Sequence, residues 1–226
     1  VRYTSPHPKD LRPETITAMS EITEVCEHLH LPLQSGSDEV LAAMHRGYTV
    51  DRYLQKVYAA RNQIDDLALS TDIIVGFPGE RDVDFEQTLE VAAEARFDNA
   101  YTFVYSPRPG TEAAELVDKF VSPAVTSTRM ERLRKVIERS IRLGNHSRIG
   151  RHEEVVVEGH SKRDADMLTG RTRHNRLVHF PVKRPIRPGS YALVQVTAAR
   201  TFNLAGELLE VTAAPKHRTR IPVVAS

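Results

Sequence analysis

The sequence predicts an α/β fold, in which a parallel sheet with covering helices is followed by a small antiparallel β-barrel. Over the first 150 residues, short apolar runs alternate with amphipathic helical segments, and each run ends in a polar loop that contains Gly or Pro. This alternation is typical of βα units. The four strands that it predicts cannot close a βα barrel, so the sheet is either open or part of a barrel. After Gly150, five short runs punctuated by Gly and Pro indicate a small β-barrel.

The elements of the first part follow from apolar spacing and from capping residues. Pro13 opens a helix, because its missing N–H would have no partner in the first turn. Ser37 can cap a second helix. In order, we predict a strand at 2–5, a helix from Pro13 to Val25, a strand at 28–33, helices at 37–44 and 50–63, a strand at 67–75, a helix at 82–95, a strand at 99–105 and a long basic helix at 127–146.

The second part is predicted to consist of short strands. They are placed at 153–158, 167–172, 176–180, 190–199 and 208–212. We place the domains at 1–148 and 149–213, followed by a flexible tail at 214–226.

Composition narrows the class of protein. Hydrophobic residues make up 40% of the 226 residues and charged residues 27%, as in globular proteins. No apolar run approaches the ~20 residues that would span a membrane, and we see no secretory signal. Cys26 is the only cysteine. It excludes an intrachain disulfide and favours a cytoplasmic location.

Charge divides unevenly between the two parts. Residues 1–150 carry 18 Lys and Arg against 23 Asp and Glu, a net charge of −5. Residues 151–226 carry 13 against 7, a net charge of +6. A basic module on an acidic body indicates a polyanionic partner.

The most informative segment is the turn that ends the strand at 67–75. The strand leads into Gly76-Phe77-Pro78-Gly79-Glu80. Such a turn lets backbone approach a ligand at the carboxyl end of a parallel strand, which is where α/β folds bind small molecules. The alternative is a βα turn in which Gly and Pro serve geometry alone.

Three histidines suggest a metal site, but the pattern does not support one. His28 and His30 share a strand face, and His7 follows the first predicted strand. No third ligand of suitable spacing is evident. We therefore expect packed or hydrogen-bonded histidines and predict no metal ligands.

Five motifs occur in order along the chain, and together they resemble one family. They are Ser5-Pro6-His7-Pro8, His30 to Ser37, Met44 to Thr49, Asp72 to Glu80, and Tyr105 to Thr111. The series resembles the radical SAM methylthiotransferases. The Ser-Pro-His-Pro element is most similar to the branch that converts N6-isopentenyladenosine in tRNA to its 2-methylthio form. Val157-Glu158-Gly159 and Gly170-Arg171-Thr172 resemble the TRAM domain of that family. The fold implied is a partial radical SAM barrel followed by a TRAM-like barrel.

The resemblance also implies cofactors. They are S-adenosylmethionine and two 4Fe–4S clusters. The sequence contains no Cys-x-x-x-Cys-x-x-Cys segment, and Cys26 matches neither set of cluster ligands. We therefore expect the N-terminal cluster-binding part to be missing and this chain to be inactive alone. We assign it no catalytic residue. The full-length enzyme is expected to be a monomer.

The resemblance places the S-adenosylmethionine pocket at the strand ends. Each contact has a structural alternative, such as helix capping by Ser37 with a solvated Gln34, the helix dipole for Arg46 and barrel core for Phe103. The expected cofactor-binding residues are Gln34, Ser35, Arg46, Asp72, Ile74, Gly76, Phe103 and Tyr105. Arg108, in the next loop, could meet the cofactor or RNA.

The second part carries the expected RNA contacts. Cations neutralise phosphates, whereas Asn and Phe can read or stack unpaired bases. The residues are Lys162, Arg163, Arg171, Arg173, Asn175, Arg176 and Phe180, with His174 among them. The alternative is a solvated basic surface.

We interpret the chain as part of an enzyme that methylthiolates C2 of N6-isopentenyladenosine beside the anticodon. The expected partner is the anticodon stem-loop of tRNA, and no membrane is involved. Two alternatives remain open. One is a methylthiotransferase acting on a threonylcarbamoyl-adenosine or a ribosomal protein, and the other is a non-catalytic RNA-binding fragment.

Overall fold

The computed structural model describes residues 1–3, 6–161, 164, 166–182 and 185–215. Two compact units are present, Val1–Gly144 and Asn145–Ser226. Part of the first predicted strand, most of the predicted tail, and the predicted RNA contacts Lys162 and Arg163 lie outside the described residues.

The first unit contains a parallel sheet of three strands. They are β1 (His28–His30), β2 (Ala68–Val75) and β3 (Asn99–Val104), in that order across the sheet. The first predicted strand is represented by a single parallel bridge from Tyr3 to Leu29. β1 is shorter than predicted. Pro32, which follows it, has no N–H for a continuous ladder.

Six α-helices are found among the described residues, and all of them begin in the first unit. They are α1 (Pro13–Glu21), α2 (Asp38–Ala43), α3 (Val50–Gln63), α4 (Asp82–Ala95), α5 (Glu112–Glu115) and α6 (Pro123–His146). α3 and α4 have the predicted bounds. α1 ends earlier than predicted, because Ile22 takes an extended conformation. α6 begins earlier, with Pro123 as its first residue, a position where proline is favoured.

The two faces of the sheet differ in chemistry. Leu29, Leu69 and Ile73 are completely buried in a core shared with Tyr53 and Phe85. Burying one such side chain contributes roughly 1.5–3 kcal/mol. The opposite face carries polar and aromatic side chains and forms one wall of the site described below.

The second unit is a closed five-stranded barrel. Its strands are β4 (His152–His160), β5 (Met167–Thr172), β6 (Leu177–Pro181), β7 (Tyr191–Ala199) and β8 (Leu204–Ala213), in the order β4-β5-β6-β8-β7. A small barrel was predicted, but its pairing is not purely antiparallel, since β6 and β8 run parallel over two residue pairs. This short pairing closes the ring, and closure removes exposed strand edges.

β8 begins earlier than predicted. Gly206 interrupts its apolar pattern, and a Cβ there would meet the backbone carbonyl of Gln195. The glycine thus marks close strand approach rather than a break between elements.

Candidate functional site

A cavity of about 720 Å³ lies at the carboxyl ends of the parallel strands. Its volume is in the range of small-molecule sites. Six of the eight predicted cofactor residues line it, namely Gln34, Arg46, Asp72, Ile74, Phe103 and Tyr105. Met44, His45, Phe77 and Glu112, which had not been predicted to line the pocket, complete the wall together with Arg108, for which contact with cofactor or RNA had been left open.

Gln34 is held at the cavity by backbone bonds to β2. Its N–H donates to the Asp72 carbonyl at 2.8 Å, and its own carbonyl accepts from the Ile74 N–H at 2.9 Å. Its φ is +67°, a value uncommon for a residue other than glycine and often found at functional sites. The surrounding bonds stabilise this conformation.

Arg46 brings a cation to the cavity. It follows α2 in a tight turn, in which its N–H donates to the Leu41 carbonyl at 3.0 Å. Nε is buried and has no hydrogen-bond partner among the described residues. The pKa of the neighbouring His7 is lowered, mainly by burial and next by the charge of Arg46. A partly buried guanidinium with an unused N–H is suited to a carboxylate or phosphate.

Tyr105 provides a second unused polar atom. Its hydroxyl is buried without a hydrogen-bond partner in the described part of the chain. Its ring packs edge-on against Phe77 at 5.3 Å and Phe120 at 5.9 Å between centroids. A buried hydroxyl normally has a partner, so this atom is available to a ligand or to an ordered water.

Gly76 does not line the cavity. Its φ is +79°, and a Cβ on it would collide with the side chain of Thr126 on α6. Its N–H donates to the Glu80 carboxylate at 2.8 Å, and Glu80 accepts from buried Arg129 at 2.7 Å. The glycine therefore allows the turn after β2 to pack against α6.

Ser35 also lies away from the cavity. It is completely buried, and its Oγ lies 3.4 Å from the hydroxyl of Thr88 on α4. The neighbouring Gly36 N–H donates to that same hydroxyl at 2.9 Å, and Ser37 Oγ donates to Asp84 at 2.7 Å. This loop is thus anchored to α4, with only its first residue, Gln34, facing the cavity.

The predicted RNA contacts of the barrel differ in accessibility. Arg171, Arg173 and Asn175 are partly exposed, and Arg171 forms an ion pair with Glu158 at 2.6 Å. Arg176 is buried and bonded to Asn145. Phe180 is completely buried in the barrel core. A ring without exposed surface cannot stack on a base, so we remove Phe180 and Arg176 from the proposed RNA surface.

The described residues contain neither a metal-binding group nor a membrane-spanning helix. Within the residues that the structure describes, no three His, Cys, Asp or Glu side chains are grouped so that they could hold a metal ion. None of the described helices has the length and apolar character needed to cross a membrane.

Family models match both parts of the chain. Residues 1–92 match the Radical SAM superfamily, and residues 146–209 match the TRAM domain. The chain therefore carries radical SAM and TRAM domains, as the motifs indicated. Coproporphyrinogen III oxidase from Escherichia coli, a radical SAM enzyme, has a similar fold, with a TM-score of 0.52 at 14% identity over 86% of this chain and 45% of that one.

Curated relatives that resemble the chain share one name. The chain is 46% identical to the tRNA-2-methylthio-N(6)-dimethylallyladenosine synthase of Moorella thermoacetica, over 93% of this chain and 47% of the relative. It is 47% identical to the synthase of Salinispora arenicola, over 90% of this chain and 42% of the relative. The resemblance to the radical SAM methylthiotransferases is thereby confirmed. The chain spans about half the length of the curated relatives it matches.

Proposed function

We propose that this chain supplies part of the S-adenosylmethionine pocket and the tRNA-binding module of a tRNA methylthiotransferase. The proposed reaction adds a methylthio group at C2 of N6-isopentenyladenosine beside the anticodon. The observation that carries this proposal is the cavity at the strand ends, in which Arg46, Asp72 and Tyr105 offer polar groups beside apolar walls. The shared name of the relatives favours this base over a threonylcarbamoyl-adenosine or a ribosomal protein.

The residues of the cavity fit S-adenosylmethionine in kind. The Arg46 guanidinium matches its carboxylate, Asp72 and Gln34 can accept hydrogen bonds from its ammonium or hydroxyl groups, and Ile74 and Phe103 offer apolar surface to the adenine. The unused Arg46 Nε and Tyr105 hydroxyl support this fit. When bound, the cofactor supplies the methyl group and the radical chemistry, while these side chains bind and orient it.

The residues of this chain do not fit an iron–sulfur cluster, because Cys26 is the only cysteine and such clusters are held mainly by several thiolates. We propose that both 4Fe–4S clusters are held by cysteines outside this chain. The chain alone then does not complete the reaction, which methylthiolation of tRNA by the isolated chain would contradict.

The first test measures cofactor binding by calorimetry. We expect S-adenosylmethionine to bind the 226-residue chain and Arg46→Ala to raise Kd about tenfold or more, because a hydrogen bond to a charged group contributes about 1.5–3 kcal/mol. Arg52→Ala, which removes an exposed cation from α3, is the matched control. Absence of binding, or equal Kd values for the two variants, would contradict the cofactor assignment.

The TRAM barrel is the proposed tRNA module. We place it at 149–213, with Arg171, Arg173 and Asn175 as its accessible contacts and the anticodon stem-loop as its partner. The net charge of +6 over residues 151–226 supports a polyanionic ligand. We further propose that the complete enzyme is a cytoplasmic monomer.

The second test measures binding of a labelled anticodon stem-loop by fluorescence anisotropy at several salt concentrations. Affinity should fall linearly on logarithmic axes, and Arg173→Ala should reduce the slope by about 1, since one phosphate contact is lost. Arg134→Ala removes an exposed cation from α6 and should leave the slope unchanged. A salt-independent affinity would argue against an RNA role for the barrel.

A further inference from the structure

Four polar side chains form a hydrogen-bonded series along the polar face of the sheet, which is the face that borders the cavity. His28 Nε2 lies 3.0 Å from Ser70 Oγ. Ser70 Oγ lies 2.9 Å from His30 Nδ1, and His30 Nε2 lies 3.4 Å from Asp72 Oδ2. The chain thus connects the interior of the unit to a cavity-lining carboxylate.

Three members of this hydrogen-bonded series are buried, and the fourth is partly exposed. His28 is 4% exposed, Ser70 2% and His30 9%, whereas the Asp72 side chain is 27% exposed. Buried polar groups are costly unless hydrogen-bonded. The hydrogen bonds within the series therefore stabilise its buried members, and Asp72 is the member that a ligand can reach.

When Asp72 is ionised, the hydrogen bonds among these four side chains allow one arrangement of their protons. A carboxylate only accepts, so His30 must donate through Nε2–H and accept at Nδ1 when its ring is neutral. The single hydroxyl proton of Ser70 then points to His30 Nδ1. Ser70 Oγ in turn accepts from His28 Nε2–H. The charge on Asp72 therefore fixes the tautomers of both histidines.

We propose that His30 is a positioning residue that holds the Asp72 carboxylate toward the cavity, supported by Ser70 and His28, so that Asp72 accepts hydrogen bonds from the hydroxyl groups of a bound adenosine ligand. This inference rests on the proposed function, because it takes the ligand to be S-adenosylmethionine. Ile74 and Phe103 lie beside Asp72 in the cavity wall and provide apolar surface for the base of the same nucleoside.

This hydrogen-bonded series predicts that the two histidines respond together to acid. Protonated His30 donates from both nitrogens, so Ser70 must accept from it and turn its own proton toward His28. His28 then switches to the Nδ1–H tautomer. The Tyr101 ring packs edge-on against His30 at 5.9 Å between centroids. Burial raises the pKa of Tyr53, whose hydroxyl donates to the Leu31 carbonyl.

The first experiment follows the histidine ring nitrogens of the full chain by NMR as pH is lowered, without ligand. We expect both histidines to be Nε2–H tautomers near neutral pH, and His28 to change tautomer at the pH at which His30 gains its proton. Ser70→Ala should abolish the response of His28 and leave the His30 tautomer unchanged. Ser20→Ala, which removes an exposed hydroxyl from α1, should change neither. An Nδ1–H tautomer of His30, or independent titration of the two rings, would overturn the hydrogen-bond chain.

The second experiment measures the Kd of S-adenosylmethionine. His30→Ala should raise Kd about tenfold, as loss of about 1.4 kcal/mol would. His30→Gln should recover most of the affinity, because its amide can still donate to Asp72. Unchanged Kd in His30→Ala would overturn the positioning role. Absence of binding to the unsubstituted chain would overturn the proposed function and the ligand part of this inference, while the NMR pattern would still decide the hydrogen-bond chain.

Discussion

Arg129→Met is expected to lower the free energy of unfolding by about 3–5 kcal/mol, because it leaves the Glu80 carboxylate buried without its partner. The two side chains are only 6% and 1% exposed and lie 2.7 Å apart. The pair joins α6 to the turn after β2. Urea unfolding followed by helical circular dichroism would measure the loss, since the described α-helices are concentrated in the first unit.

Arg132→Met is the matched control for this prediction. Arg132 lies on the same helix and covers the same Phe85 ring, at 5.6 Å compared with 5.5 Å for Arg129. Its ion pair with Glu86 is about half exposed, at 48% and 47%. An exposed pair contributes about 0–1 kcal/mol. Equal losses in the two variants would show that burial does not decide the cost.

The pH dependence separates loss of the partner charge from loss of packing. Burial raises the pKa of Glu80, against the opposing effects of the Gly76 N–H and Arg129. Because its pKa is raised, the Glu80 carboxyl contributes stability at low pH, and this contribution is lost as pH rises through its folded-state pKa. Removing Arg129 raises that pKa further, so the deficit of Arg129→Met should shrink from pH 7 to pH 5. Adding Glu80→Gln should recover part of the loss at pH 7, whereas a pH-independent deficit would indicate a packing defect.

Local signals in the sequence predicted the elements best. α3 and α4 have the predicted bounds, and Ser37 caps α2 as expected, accepting from the Val40 N–H. These features depend on neighbouring residues and on helical spacing. The cavity wall was also predictable in part, because parallel strands bring their carboxyl ends to one edge of the sheet.

Contacts distant in sequence could not be predicted in the same way. Ser35 and Gly76 have the residue types of ligand loops, but their partners Thr88 and Thr126 lie on other elements. No local pattern connects Glu80 with Arg129. In the barrel, the alternation of β6 would have been the better guide, since Phe180 shares its buried face with Val178. There the side of the strand, rather than the residue type, decided the role.

The junction between α2 and α4 depends on one carboxylate. Asp84 accepts from Ser37 Oγ at 2.7 Å and from the Arg81 N–H at 2.9 Å, and it forms an ion pair with the Arg81 side chain at 2.9 Å. The Arg81 side chain, followed in effect by Ser37 and the Arg81 N–H, holds the pKa of Asp84 down at about 2. Asp84 therefore holds the loop after β1 next to the start of α4.

Asp84→Asn should consequently destabilise the protein by about 2 kcal/mol at neutral pH, the linkage value for a pKa lowered from 3.8 to about 2. A lowered pKa gives stability that is present above the unfolded value and is lost as pH falls through the folded one. The difference in the free energy of unfolding between the unsubstituted chain and Asp84→Asn should therefore have its full value at pH 6 and become smaller as pH falls below about 4. Urea midpoints at pH 6 and pH 3 would measure this change.

Asp51→Asn is the control, because Asp51 is an exposed acid in the first turn of α3. Its removal should cost at most about 1 kcal/mol, because its interaction with the helix dipole and its hydrogen bond from Gln55 are both exposed to solvent. A similarly small cost for Asp84→Asn, or a difference that is undiminished at pH 3, would contradict the assigned role. If the role is correct, Asp84→Asn should also weaken S-adenosylmethionine binding more than Asp51→Asn does, because Gln34 reaches the cavity from the loop that Asp84 anchors through Ser37.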